Sequence, residues 1–202
     1  MSTLLFIAIG FLFGSFPTGY VYAKAVAGID IRKYGSGNIG MANLRRTLGK
    51  KAGLITLAGD LAKGAIPYLI ALKMTNSYTV ALSSGFAAIC GHIWTPFLGF
   101  RGGKGIATTY GVLTAACLPV ALLSALVWYL IVKITRYSSL GSLCGVGSSI
   151  AWAYVVPFSP KSLPYFSIIA FLLSIYTHRA NIKRLLKGEE LTIDGKPKVR
   201  KA

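Results

Sequence analysis

Seven apolar stretches follow one another along this chain, and each reads as a helix that crosses a lipid bilayer. A spanning helix needs about 20 mostly apolar residues. The stretches are Leu4–Ala25, Gly53–Leu72, Tyr78–Leu98, Ile106–Leu118, Val120–Ile134, Leu143–Val156 and Leu163–Tyr176. The fourth and fifth are short, so one long helix through Pro119 competes with two helices that turn there. Hydrophobic residues make up 54% of the chain and charged residues 13%, and mean hydropathy is +0.61. Soluble domains draw about a quarter of their residues from the charged types. This chain has too little polar surface to cover a globule, which argues against a soluble enzyme, a disordered protein or a secreted disulfide scaffold.

Charge chooses between the two span counts. The 22 Lys and Arg outnumber 5 Asp and Glu, a net charge of +17. In a soluble protein that excess would suggest nucleic acid; in a membrane protein it suggests basic cytoplasmic loops. With seven spans and the N-terminus outside, 19 basic residues fall on one side, Lys73 and Lys161 on the other, and Lys63 within a span. Six spans would divide them 10 against 11. The positive-inside rule selects seven and puts a tight outer turn at Pro119. The expected fold is therefore all-α: a polytopic bundle of seven transmembrane helices, N-terminus outside, C-terminus cytoplasmic. Residues 1–190 form one domain and 191–202 a basic cytoplasmic tail. The first stretch lacks a basic leader and runs on through Ser15-Phe16-Pro17-Thr18 to Lys24, so it reads as a helix that stays. Cys90, Cys117 and Cys144 lie in apolar runs with no CxxC or Cys/His pair, as buried small hydrophobes do.

On this topology four polar segments share the cytoplasmic face: Lys33–Gly53, Gly99–Gly105, Arg136–Ser142 and Thr177–Glu190. The first contains Gly35-Ser36-Gly37-Asn38-Ile39-Gly40, then Asn43, Arg45 and Arg46. Glycines let backbone amides approach and cradle an anion, and arginine recognises phosphate bidentately. The same residues also fit a flexible basic loop. The second reads Gly91-His92, then Phe100-Arg101-Gly102-Gly103-Lys104-Gly105 leading into a helix. It has the physics of a phosphate loop, including a helix N-terminus, without the spacing of a nucleotide-binding P-loop. A tight basic turn is the competing reading. The third, with Ser138, Ser139 and Ser142 after Arg136, reads as a capped helix start. In the fourth, His178 and Asn181 are three apart and share a helix face. A basic amphipathic tail on anionic lipid explains Lys183, Lys187 and the later basic residues, but not that pair.

Asp60 is the carboxylate inside a predicted span, with Lys63 one turn on. Such groups are costly in a membrane and usually pair. Soluble-type glycerolipid acyltransferases place Asp five residues after His; here those positions hold Phe97 and Lys183, which excludes that family.

Taken in order, these blocks resemble the bacterial membrane glycerol-3-phosphate acyltransferases that use acyl phosphate, the PlsY family. The resemblance runs from about Gly14 to Glu190. It rests on Gly35–Gly40 with Asn43 and Arg46, on Gly91-His92 through Gly105 to Ala107-Thr108, and on His178-Arg179 with Asn181, Arg184-Leu185 and Gly188. Asp60, Lys63, Gly64, Arg136-Tyr137, Ser139 and Ser142 also fall where that family has them. Ala42 stands where the family usually has Thr, Arg45 is an extra neighbour of Arg46, and Arg101 is often Lys.

The resemblance implies attack of the 1-hydroxyl of glycerol 3-phosphate on a long-chain acyl phosphate in the inner membrane. The products are 1-acylglycerol 3-phosphate and phosphate. It implies catalytic roles for His178, Asn181, Ser36 and Arg46. Substrate phosphates would be held by Gly35, Gly37, Asn38, Gly40, Asn43, Arg45, Arg101, Gly102, Gly103, Lys104, Gly105, Ser139 and Ser142. Asp60, Lys63, His92 and Glu190 would support them. It implies no metal, cofactor or nucleic acid; the partners are the two substrates and the bilayer, and the oligomeric state is not legible. A phosphate-ester or anion transporter with the same loops as a gate is the alternative. Transporters place polar, broken segments near the midplane, often in repeated halves, whereas here the polar groups gather on one face.

Overall fold

The computed structural model describes residues 2–194; residues 195–202 of the expected basic tail lie outside the described residues. Among the described residues the architecture is all-helical. The helices are α1 (Thr3–Ser15), α2 (Thr18–Ala27), α3 (Met41–Leu48), α4 (Lys50–Thr75), α5 (Tyr78–Ile93), α6 (Ile106–Ala116), α7 (Leu118–Thr135), α8 (Ser138–Val155), α9 (Leu163–Thr177) and α10 (Arg179–Lys187). Single 3₁₀ turns occur at Ile31–Lys33 and Pro96–Leu98. Among the described residues, four helical stretches are long and apolar enough to cross a membrane: Thr3–Ala27, Lys50–Thr75, Tyr78–Leu98 and Leu118–Thr135. Ile106–Ala116 and Leu163–Thr177 are apolar but shorter. Many large apolar side chains face outward, among them Leu4, Leu122 and Ile134, as expected where lipid is the solvent.

The first stretch differs from the continuous helix expected. It breaks into α1 and α2 at Phe16 (φ −62°, ψ 117°). Proline lacks an N–H, and its ring pushes the preceding residue to extended backbone. The break leaves the Phe16 carbonyl without a helical partner, and Lys63 Nζ donates to it at 2.9 Å. Lys63 also lies 2.9 Å from Asp60, both side chains being buried. The ion pair expected from their spacing is present within α4, and the Lys63 hydrogen bond to Phe16 ties α4 to the kink.

The apolar segments around Pro119 form a hairpin. α6 ends at Ala116, Cys117 is extended (φ −160°), and α7 starts at Leu118. The Tyr110 hydroxyl on α6 donates to the Ser124 carbonyl on α7 at 3.0 Å, which one long helix would not permit. Cys117 is buried, whereas Cys90 and Cys144 are half-buried. α8 starts at Ser138 as expected, though no side chain caps it.

Glycines set how closely α4 and α6 approach. A Cβ at Gly64 would lie 2.2 Å from the Thr108 carbonyl oxygen, and one at Gly111 would lie 2.0 Å from that of Leu61. In a membrane, packing of small residues replaces the hydrophobic drive between helices. That contact holds the α6 N-terminus, and the loop before it, against α4.

Candidate active site

Asn43 builds the first loop. It is almost fully buried, and its Nδ2 donates to the carbonyls of Tyr34 (3.0 Å) and Asn38 (2.9 Å). Its Oδ1 accepts from the Ser36 amide at 2.9 Å, and Asn38 Oδ1 accepts from the Gly40 amide at 2.9 Å. Asn43, expected as a phosphate ligand, instead has both ends of its amide engaged by backbone and holds the loop's shape. Ser36, Asn38, Gly40 and Arg46 then line a common cavity.

The glycine-lysine loop closes on α5 in a similar way. The Gly103 amide donates to the His92 carbonyl (3.0 Å) and the Gly102 amide to that of Ile93 (2.9 Å). These amides satisfy the orphan carbonyls that end a helix and are not available to an anion. A Cβ at Gly103 would lie 2.0 Å from His92 Nε2, so the glycine admits the buried imidazole. His92 Nδ1 in turn lies 3.7 Å from Asp60. The loop delivers Lys104 to the cavity, while Gly105 (φ +80°) turns the chain into α6.

His178 sits at the joint between α9 and α10 and is 2% exposed. Its Nδ1 lies 2.9 Å from the Ser174 carbonyl. A carbonyl only accepts, so Nδ1 carries the proton and Nε2 keeps its lone pair. Burial, and then the Lys104 charge, lower the imidazole to about 4. Asn181 is buried one turn on; its Oδ1 accepts from Lys104 Nζ, and its Nδ2 donates to Glu190.

Glu190 is the hub of the arrangement. Its carboxylate accepts from the Ser139 hydroxyl at 2.8 Å, from Asn181, and from Arg184 Nε at 2.7 Å. Burial opposes its charge, but these hydrogen bonds outweigh burial and hold it below the usual carboxylate range. Lys104 is lowered to about 8: burial dominates, the Glu190 charge opposes it, and the Arg184 and Arg46 charges add to it.

These residues surround a cavity of about 410 Å³. Its polar end gathers Arg46, Lys104, Arg184, Glu190, His178 and Asn181. Asp60 also lines the cavity but is paired with Lys63, so three cations facing Glu190 leave an excess of positive charge suited to a phosphate monoester, which carries about −1.5 to −2 at neutral pH. Its other end is apolar, with Leu57 and Leu61 of α4, Ile106 of α6, and Leu122, Ala125 and Trp128 of α7. Leu122 is an exposed side chain, so this end reaches the lipid-facing surface. The shape suits an amphiphile with an anionic head.

Several expected ligands lie outside the cavity or are already bonded to protein. Gly35, Gly37, Arg45, Arg101, Gly102 and Gly103 do not line the cavity. Arg45 lies 3.8 Å from Asp194. Ser142 lines the cavity but donates to the Ser138 carbonyl at 2.8 Å, and Ser139 is held by Glu190. Arg184 is not among the expected site residues, though it falls in the third block with His178 and Asn181. Residues 191–194 also pack on the body rather than starting a tail, with Thr192 and Ile193 buried.

A family model described as glycerol-3-phosphate acyltransferase matches residues 4–188. A glycerol-3-phosphate acyltransferase of Clostridioides difficile (strain 630) is 42% identical, with 96% of this chain and 97% of that protein aligned. Two crystal structures of PlsY (YgiH), an integral membrane glycerol 3-phosphate acyltransferase, are each 41% identical. The glycerol 3-phosphate form superposes with a TM-score of 0.88, covering 95% of this chain and 96% of that one. The lysophosphatidic acid form gives 0.87, with 95% of each covered.

Proposed function

The chain belongs to the glycerol-3-phosphate acyltransferase family, and from that premise we propose that it transfers a fatty acyl group from acyl phosphate to the 1-hydroxyl of glycerol 3-phosphate. The product is 1-acylglycerol 3-phosphate in the bacterial inner membrane. The enzyme has seven spans, its N-terminus outside and its site at the cytoplasmic face. The observation that carries the reading is the two-ended cavity, cationic beside His178 and apolar between α4, α6 and α7.

Arg46 and Lys104 take the phosphate of glycerol 3-phosphate, bringing its 1-hydroxyl to His178. The acyl phosphate places its chain between α4, α6 and α7 and its phosphate at the α6 N-terminus, where the helix dipole favours an anion. His178 Nε2 accepts the hydroxyl hydrogen and orients the oxygen lone pair toward the acyl carbon. An imidazole lowered to about 4 is a weak base, so it orients the hydroxyl rather than keeping its proton. The hydroxyl oxygen bonds to the acyl carbon, the bond from that carbon to the phosphate oxygen breaks, and the proton leaves with the phosphate. Asn181, joined to Lys104 and Glu190, fixes the geometry at the reacting centre.

Detergent-purified protein should release phosphate and form 1-acylglycerol 3-phosphate from acyl phosphate plus glycerol 3-phosphate. Equal or faster turnover with acyl-coenzyme A, in a preparation free of acyl phosphate, would overturn the donor assignment.

A further inference from the structure

We propose that Leu191–Asp194, which follows the range 4–188 matched by the family, is a strap that positions Arg46 for the substrate phosphate. The inference rests on the reading of Arg46 as a phosphate ligand. Arg46 Nε donates to the Thr192 carbonyl oxygen at 3.0 Å, across 146 residues of sequence. A guanidinium is a rigid planar fork. With Nε anchored, the plane of its terminal N–H groups is set before substrate arrives. Without the anchor, ordering a long side chain falls on the binding step and weakens it.

The strap is held at both ends. Before it, Glu190 is gripped by Ser139, Asn181 and Arg184. After Thr192, the Ile193 amide donates to the Arg136 carbonyl at 2.8 Å, and the Ile193 side chain is buried. Asp194 pairs with Arg136 and lies near Arg45. Leu191 lines the cavity itself. The strap thus links α3, the α7–α8 turn and α10 across the polar end of the site. Arg136 and Arg45 act on the strap and not on substrate.

The test compares chains ending at Asp194 and at Glu190. Removing the strap should raise KM for glycerol 3-phosphate about 10- to 100-fold, the scale of losing one hydrogen bond to a charged group. The fall in kcat should be smaller. Two point variants of the full chain should move KM the same way: Ile193→Pro removes the amide bonded to Arg136, and Asp194→Ala unties the end. They decide the matter if the chain ending at Glu190 loses its cooperative unfolding transition. In an Arg46→Ala background, Asp194→Ala should add nothing to KM, because coupled residues are not additive. An unchanged KM in folded strap variants, or full additivity with Arg46→Ala, would overturn the strap. A full chain that fails to acylate glycerol 3-phosphate would overturn the parent reading instead.

Discussion

Nδ1 of His178 lies 2.9 Å from the carbonyl oxygen of Ser174, one helical turn earlier. The bond turns the basic nitrogen, Nε2, away from α9 and fixes the tautomer. A positioned base or acceptor contributes about 10²–10⁴ in rate, so His178→Ala should lose roughly that factor in kcat while remaining folded. His178→Gln keeps an acceptor and should retain more activity than the alanine variant. Full activity in His178→Ala would remove the residue from the mechanism.

The His178 imidazole also predicts the shape of the pH profile. Its folded value of about 4 lies below the ordinary 6.5. Between those values the unfolded chain binds a proton that the folded one refuses, so stability falls as pH drops from about 6.5 toward 4. Activity should therefore show no acid limb near 6.5 that disappears in His178→Gln. Profiles of kcat for both proteins check this.

Lys104, lowered to about 8, is charged below that pH and neutral above it. KM for glycerol 3-phosphate should rise as pH passes upward through about 8, and Lys104→Met should abolish the rise. A pH-independent KM between 7 and 9.5 would remove Lys104 from phosphate binding.

Glu190→Gln keeps the shape of the hub but removes the negative charge that favours the Lys104 ammonium. The alkaline rise in KM should then shift to lower pH. Glu190→Ala leaves the buried Ser139 and Asn181 donors without their shared acceptor and should lower stability by about 1–3 kcal/mol, the cost of an unsatisfied buried polar group; the half-exposed Arg184 adds little, because solvent screens it. Thermal unfolding in detergent separates the two variants.

In Gly103→Ala the new methyl group meets the His92 ring, not a ligand. The variant should lose both stability and activity. Adding His92→Ala, which empties the ring's place, should restore part of both. No rescue in the double variant would show that Gly103 acts elsewhere.

Single cysteines at positions 75 and 195 in a cysteine-free background test the orientation. They should label from opposite sides of the membrane; label reaching both from one side would refute the seven-span arrangement.

Short-range properties of the sequence were enough for much of this protein. Apolar run lengths outlined the helices. The turn expected at Pro119 falls two residues earlier, at Cys117, with Pro119 in the first turn of α7, and the Asp60–Lys63 spacing forecast their ion pair. Each is a property of neighbouring residues, read without knowing what lies across the bundle. The glycine-rich and His178–Asn181 blocks likewise marked which segments meet at the cavity. Which partner each polar group meets there was decided only by tertiary structure. Gly102 and Gly103 looked like anion donors, yet their amides close the end of α5. Asn43 and Ser139 looked like ligands, yet they hold a loop and a carboxylate. Glu190 is expected to support the site, but its three partners lie on two separate elements, α8 and α10, and Arg46 bonds to a carbonyl 146 residues away. The physical reason is that a hydrogen-bonding group acts along a direction over about 3 Å. Spacing along the chain gives a group's identity, but helix packing alone decides whether it meets substrate or is already engaged by protein.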